Sequence, residues 1–458
     1  MRDALRRLTL ERGIQLALVA VVVTAVLAGG AILEWIPVAR KVRWAALFVL
    51  AALAGLYALR RRRQGRLDRG LAPAAALISV ALASTLWSAT PRLTVARAGA
   101  LTIVLASAAA LAFASAGEAE RIELVLEGLL LAAVAVAVGG LLVLAFRYDR
   151  AVQPATTISS ARYQGLGGGP NMATMILALA TPLAAHTMLT RKSAARVVGA
   201  AAFALLIASI AFSGSRGALA ASSAGLFAYA LLGQPTARSR IAFAAGAAAV
   251  LALSLAVAAV PSTAAVNPPD PTGVDPNPVE VTPAPGYIDA NRGGLRLQDD
   301  IGHPAVGEAR ESRVRGLLGS SGRTEAWNGA LGQALERPIV GHGFGTEDRV
   351  FIDRYVGFNS NVPENSYLGF LLQLGFVGLV LVALLAALLA IRAVRAASFV
   401  DDRRRVAAAA CAAVVVAGLV LAFVQSYLYA PGNNATAAFW ICAFLFVSAT
   451  ANAAAERD

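Results

Sequence analysis

Cysteine, lysine and charge of either sign are scarce in this chain, and each scarcity excludes something. The two cysteines, Cys411 and Cys442, both fall inside apolar runs, so neither a disulfide framework nor a metal site is indicated. Lys41 and Lys192 are the only lysines among 40 basic residues, a bias that speaks of a GC-rich genome more than of a function. Charged residues make up 15% of 458 positions against 58% apolar, and the mean hydropathy of +0.65 lies far outside the soluble range. Period-two alternation is missing from the apolar runs, which excludes the strands of a membrane barrel. The net charge of +13 invites a nucleic-acid reading. The basic residues nevertheless cluster in short loops between apolar runs, so no nucleic-acid partner is expected.

What remains is apolar length. Stretches of about 18–25 residues recur, each long enough to cross a hydrocarbon core of roughly 30 Å as a helix. In lipid only helices and closed barrels satisfy the backbone, so the fold class is all-α, a polytopic integral membrane bundle. About twelve transmembrane helices are expected, near 14–33, 44–60, 71–89, 98–115, 124–146, 171–189, 196–212, 217–233, 241–261, 366–391, 406–429 and 435–451. The first run lacks a clear small-residue cleavage site and is followed by further spans, so it is expected to remain as an uncleaved helix. With the N-terminus cytoplasmic, the cytoplasmic loops carry 22 Arg and Lys, among them Arg60 to Arg63 and Arg403 to Arg405. The short loops on the other side carry nine: Arg40, Lys41, Arg43, Arg92, Arg97, Arg147, Arg150, Arg162 and Arg216. The positive-inside rule therefore places both termini in the cytoplasm.

The chain then divides into nine spans over 1–261, a large outer-face loop over 262–365, and three spans over 366–458. Residues 261–286 (PSTAAVNPPDPTGVDPNPVEVTPAPG) read as an extended, mobile tether, since they are proline-rich and lack apolar periodicity. From about 313 the character changes. Thr324 can cap a short helix, Glu325 suits its first turn, and Trp327, Leu331 and Leu335 recur at four-residue spacing before Pro338 stops it. An amphipathic helix lying on the membrane or on the bundle is predicted there.

Several residues carry possible chemistry. Arg323 precedes that helix, where unpaired N–H groups and a guanidinium together suit an anion; a solvated arginine, or a partner for Glu325, is the plainer alternative. Arg216 sits in SGSRG, a tight turn between two apolar runs with no carboxylate nearby in sequence. A cation at the edge of hydrocarbon is costly, so it reads either as a clamp for an anionic headgroup or as a side chain snorkelling to lipid phosphates. Arg162 lies in ARYQGLGGGPN, whose glycines suit a phosphate loop or an ordinary loop-to-helix turn equally well. Glu364 stands in PENSYLGF, where Asn365 or Ser366 would cap the next span. It is either a carboxylate placed favourably at a helix start or a general base for an acceptor hydroxyl. His342, in GHGFG, is the alternative base, although a histidine among glycines also serves as a turn residue.

The ordered set LWSATPRLTVAR (Leu86 to Arg97), RYQGLGGGPN (Arg162 to Asn171), SGSRGALA (Ser213 to Ala220), SGRTEAWNGAL (Ser321 to Leu331), RPIVGHGFG (Arg337 to Gly345) and ENSYLGFLLQLGFVG (Glu364 to Gly378) resembles the O-antigen ligase and O-antigen polymerase family of multispan glycosyltransferases. The resemblance implies transfer of a glycan from a polyprenyl-pyrophosphate (undecaprenyl-type) donor to a glycan or lipid acceptor. The transfer takes place on the outer face of a bacterial cytoplasmic (inner) membrane, with no cofactor, nucleotide or metal. It implies that Arg216 and Arg323, with Arg162 as a third, hold the pyrophosphate, that Glu364 or His342 is catalytic, and that Asn365, Tyr367 and Asn171 line the substrate site. One departure stands out: many members carry histidine where this chain has Glu364. Whether the chain is a ligase or a polymerase stays open. A transporter of small anions is the competing reading, and it would need ionisable midspan groups, broken helices or inverted repeats. For a shared pyrophosphate site, the guanidiniums of Arg216 and Arg323 should converge within about 10 Å.

Overall fold

A computed structural model describes residues 2–61, 69–115, 118–154, 161–234, 236–259, 323–351, 362–396 and 402–455. The proline-rich stretch 261–286 and His303 lie outside them. Helices dominate: α1 (Arg2–Leu27), α2 (Ile36–Arg60), α3 (Ala72–Ala83), α4 (Pro91–Ser115), α5 (Ala119–Phe146), a single turn α6 (Tyr148–Ala151), α7 (Pro170–Thr190), α8 (Ser193–Ser213), α9 (Arg216–Gly233) and α10 (Ala237–Ala259). After the large loop come α11 (Arg323–Ala334), a short α12 (Glu347–Val350), α13 (Ser366–Ala396), α14 (Asp402–Leu421) and α15 (Thr436–Ala455). A two-residue antiparallel ladder pairs Val152 with Tyr163 and Gln153 with Arg162. The chain is an all-α polytopic membrane protein. Eight helices among the described residues are long and apolar enough to cross a membrane, and α3 and α15 contribute shorter apolar segments.

Small residues decide how the centre packs. Lipid tails are as apolar as leucine, so helices in a bilayer associate through close backbone approach rather than through hydrophobic exclusion. Helix α9 meets α14 along Gly225 and Gly233. A β-carbon on Gly225 would come within 2.8 Å of the Ala413 carbonyl and 2.7 Å of the Pro182 ring, and one on Gly233 would reach Ala409 at 3.4 Å. The alanine run of α14, Ala407 to Ala410 with Ala412 and Ala413, is correspondingly buried.

Two expected spans differ in detail. The apolar run 406–429 is helical only to Leu421, and 422–435 forms a turn-rich segment instead. Ser366 holds it there, donating to the Gln425 carbonyl (2.7 Å) and accepting the Tyr427 amide (3.0 Å). Helix α13 is interrupted at Gly375, whose φ of 62° and ψ of −157° are open to glycine alone. The break frees backbone groups that lipid could not satisfy. Segment 338–345 takes them up: Phe376 and Val377 donate to Pro338 (2.7 Å) and Ile339 (3.2 Å), while Leu372 and Gln373 accept from His342 (3.1 Å) and Gly343 (2.9 Å). Gln373 adds its side chain, whose Oε1 receives the Gly345 amide at 2.6 Å. The GHGFG motif is thus the counterpart of a helix break.

The amphipathic helix predicted after the tether exists, but it packs through another face. Ala326, Ala330 and Ala334 are buried against Leu371, Leu372 and Phe351, while Leu331 and Leu335 are 42% and 55% exposed. Alanines let α11 sit close on α13, and the leucines point outward as they would towards lipid. It begins at Arg323, so Thr324 lies inside its first turn rather than before it.

Candidate active site at one end of the bundle

One end of the bundle gathers the loop between α1 and α2, the approach to α7, the α8–α9 turn, segment 338–348, the start of α13 and segment 422–435. Gly30 bridges to Gly167, and a β-carbon on Gly168 would fall 2.0 Å from the Gly29 carbonyl. The glycine run before α7 is therefore a close backbone approach, which accounts for its composition without a phosphate.

Arg162 leaves the small ladder and braces the α8–α9 turn. Its Nε donates to the Ser213 carbonyl at 2.8 Å and its Nη2 to Asn171 Oδ1 at 3.2 Å. Ser213 ends α8, so the guanidinium also meets the negative pole of that helix. Gly214 turns the chain with φ +60°, and the Ser215 amide donates to Ser213 Oγ at 3.1 Å. Arg216 follows as the first residue of α9. Its pKa is lowered, first by burial and then by the positive charge of Arg323. The charge of Arg323, over a hundred residues away in the chain, thus bears on Arg216. Like charges disfavour one another unless negative charge is supplied.

Glu364 supplies it. Arg323 Nη2 lies 2.5 Å from Glu364 Oε2, with side chains 20% and 26% exposed. One turn along α11 from Arg323, Trp327 Nε1 donates to the Pro363 carbonyl at 2.8 Å, so α11 grips the segment at two consecutive residues. Glu364 is one of two non-glycine residues with positive φ among the described residues, at +47°. Side chains with a β-carbon seldom adopt that region, and such outliers collect at functional sites. Beyond it Asn365 caps α13, its Oδ1 accepting the amides of Tyr367 (2.9 Å) and Leu368 (3.1 Å). The Tyr367 hydroxyl donates to the Leu419 carbonyl at 2.8 Å. Asn365 and Tyr367 thereby have structural partners, and Asn171 has Arg162.

His342 is placed differently. It is 5% exposed, and its Nε2 meets the Gln333 carbonyl at 3.1 Å, tying the GHGFG segment to the end of α11. Burial lowers its pKa, and the Gln333 contact opposes that shift.

Two acidic residues escaped the sequence reading. Asp348 forms a two-pronged pair with Arg97 (2.6 and 2.8 Å), and Arg97 also donates to the Gly345 carbonyl at 2.5 Å. Glu347 is 4% exposed and receives hydrogen bonds from Ser426 Oγ (3.0 Å) and the Tyr429 hydroxyl. Burial pushes its pKa up to about 8. The available signal was an acidic pair one residue after GHGFG and an arginine at a helix start on the same expected face.

With this geometry in hand, comparison with known proteins is informative. Residues 201–383 match the family model described as O-Antigen ligase, a range that includes Arg216, Arg323, His342, Glu347 and Glu364 and ends within α13. No curated protein matches the chain.

Proposed function

We propose, from the match of residues 201–383 to the O-Antigen ligase family model, that this chain transfers a glycan from a polyprenyl-pyrophosphate donor to an acceptor hydroxyl. The transfer takes place at the outer face of a bacterial cytoplasmic membrane, the face to which the loop charges assign this end of the bundle. The grouping of Arg216, Arg323 and Glu364 carries the reading. Two guanidiniums suit the charge and the planar oxygen pairs of a pyrophosphate. They bind the leaving group, and their field strengthens its hold as the sugar C1–oxygen bond breaks and negative charge develops on the departing phosphate. Glu364 accepts the proton of the acceptor hydroxyl while the acceptor oxygen bonds to C1. The products are the extended acceptor, polyprenyl pyrophosphate and a protonated Glu364.

The resting ion pair fits this sequence of events. While Arg323 holds Glu364, neither group is free for its task. A donor pyrophosphate that takes Arg323 also releases the carboxylate, so the base becomes available only once the leaving group is bound. His342 is the weaker candidate for base, because it is buried and burial lowers its pKa. Arg162, engaged with Ser213 and Asn171, supports the turn that presents Arg216. The transporter reading gains one feature, the broken α13, but the freed backbone groups are occupied by segment 338–345 rather than offered to a solute.

Reconstitution with a polyprenyl-pyrophosphate glycan tests the reading. Arg216→Ala, Arg323→Ala and Glu364→Gln should each lower transfer, Glu364→Gln by about 10²- to 10⁴-fold. Undiminished transfer by all three variants would overturn it.

A further inference from the structure

Glu347 has no part in the reaction as described, yet it is the carboxyl most completely removed from solvent near the site. It stands in α12 with its Oε1 accepting from Ser426 Oγ at 3.0 Å and from the Tyr429 hydroxyl. The serine hydroxyl has one proton and two lone pairs. With that proton committed to Glu347, a lone pair faces the Asn365 amide, which donates to Ser426 Oγ at 3.1 Å. Asn365 directly follows Glu364, whose φ is +47°. The charged neighbours of Glu347 are accounted for: Asp348, on the same helix, is paired with Arg97 from α4.

We infer that Glu347 is a positioning residue for Glu364, using Ser426 to fix the Asn365 amide and so to hold Glu364 in its left-handed backbone conformation beside Arg323. The inference rests on the proposed role of Glu364 as base. Glu347 touches neither the donor nor the acceptor in this scheme. It acts through one hydroxyl and one peptide unit, and the Tyr429 hydroxyl keeps its carboxyl from turning away. A neutral amide at this position keeps the acceptor oxygen that Ser426 needs, whereas a methyl group does not.

The test compares Ser426→Ala, Glu347→Ala, Glu347→Gln and Glu364→Gln in the reconstituted full-length protein, reading kcat, the KM for a polyprenyl-pyrophosphate glycan, and binding of glycan-free polyprenyl pyrophosphate. A misplaced base costs turnover rather than binding, so Ser426→Ala and Glu347→Ala should lose about 10- to 100-fold in kcat. Their donor Kd should not rise, because loosening Glu364 leaves Arg323 more available to the pyrophosphate. Glu347→Gln should recover most of the turnover that Glu347→Ala loses. If Glu347→Ala fails to fold, Ser426→Ala, which removes a single hydroxyl, still decides the matter. Loss of transfer in Glu364→Gln with wild-type kcat in Ser426→Ala would overturn the positioning role alone. Full activity of Glu364→Gln would overturn both that role and the assignment of the base.

Discussion

The pairing of Arg323 with Glu364 makes a prediction in which binding and catalysis move in opposite directions. If donor pyrophosphate must take Arg323 from Glu364, then Glu364→Gln should lower transfer by about 10²- to 10⁴-fold and yet tighten donor binding. The contact is 2.5 Å, with side chains 20% and 26% exposed. That places it between exposed ion pairs, at about 0.2–1 kcal/mol, and buried hydrogen bonds to charged groups, at about 1.5–3 kcal/mol. Taking about 1–2 kcal/mol for the pair after allowing for solvent screening, its removal should lower the donor Kd by about 5- to 30-fold, since 1.4 kcal/mol is tenfold. Removing a negative charge near the incoming pyrophosphate acts in the same direction. Arg323→Ala should instead raise Kd, and the double variant should depart from additivity because the two side chains touch. Titration of nanodisc-embedded protein with glycan-free polyprenyl pyrophosphate measures both effects. High salt should shrink them, as the Debye length falls to about 3 Å at 1 M. If Glu364→Gln bound the donor more weakly than wild type, the carboxylate would be helping the anion to bind, and the competition argument would be wrong.

Further outcomes follow from the same geometry. Arg216→Lys keeps the charge but loses the planar fork, so it should raise the donor KM less than Arg216→Ala does. Glu347 binds its proton more tightly in the folded protein, with a pKa of about 8 against an ordinary 4.5. Its contribution is fully present below pH 4.5 and is lost as pH rises towards 8, at on the order of 1.4 kcal/mol per pH unit. Thermal unfolding in detergent should show wild type losing stability over that window relative to Glu347→Gln; parallel pH profiles would contradict the raised pKa. Gly375→Ala combines a φ of 62° with a β-carbon 2.3 Å from the Ile339 carbonyl carbon and should cost on the order of 3 kcal/mol. Gly332→Ala, in α11 with nothing within 4 Å, should be neutral or stabilise by up to about 1 kcal/mol, as a melting comparison of the two would show.

How much of this was legible in the sequence depends on the kind of signal each feature leaves. Apolar length gave the helices, because a span must supply its own hydrogen bonds and leaves an unbroken run of text. The end of α14 at Leu421 left none: 422–429 is nearly as apolar as what precedes it, and Ser366, more than fifty residues away, draws it out of the helix. The outward leucines of α11 fit the membrane alternative, while the alanine face that meets the bundle went unread because beside lipid the buried face belongs to alanine. Arg216 and Arg323 were legible individually, since a cation at a membrane edge is costly wherever it stands. That the two serve one anion is an expectation carried by the resemblance.

Glu347 marks the boundary of what such reading can reach. Such an acid reads as solvated until two partners from elsewhere, Ser426 and Tyr429, are seen to enclose it. The break in α13 explains how it came to be there. Segment 338–345 must run along α13 to satisfy the backbone groups that Gly375 releases, and the chain that leaves that segment can only emerge against the start of the same helix. There it meets segment 422–435, whose own departure from helix supplies Ser426 and Tyr429. Two departures from regular helix, one satisfied by segment 338–345 and the other held by Ser366, thus place a buried acid two hydrogen bonds from the peptide that carries Glu364.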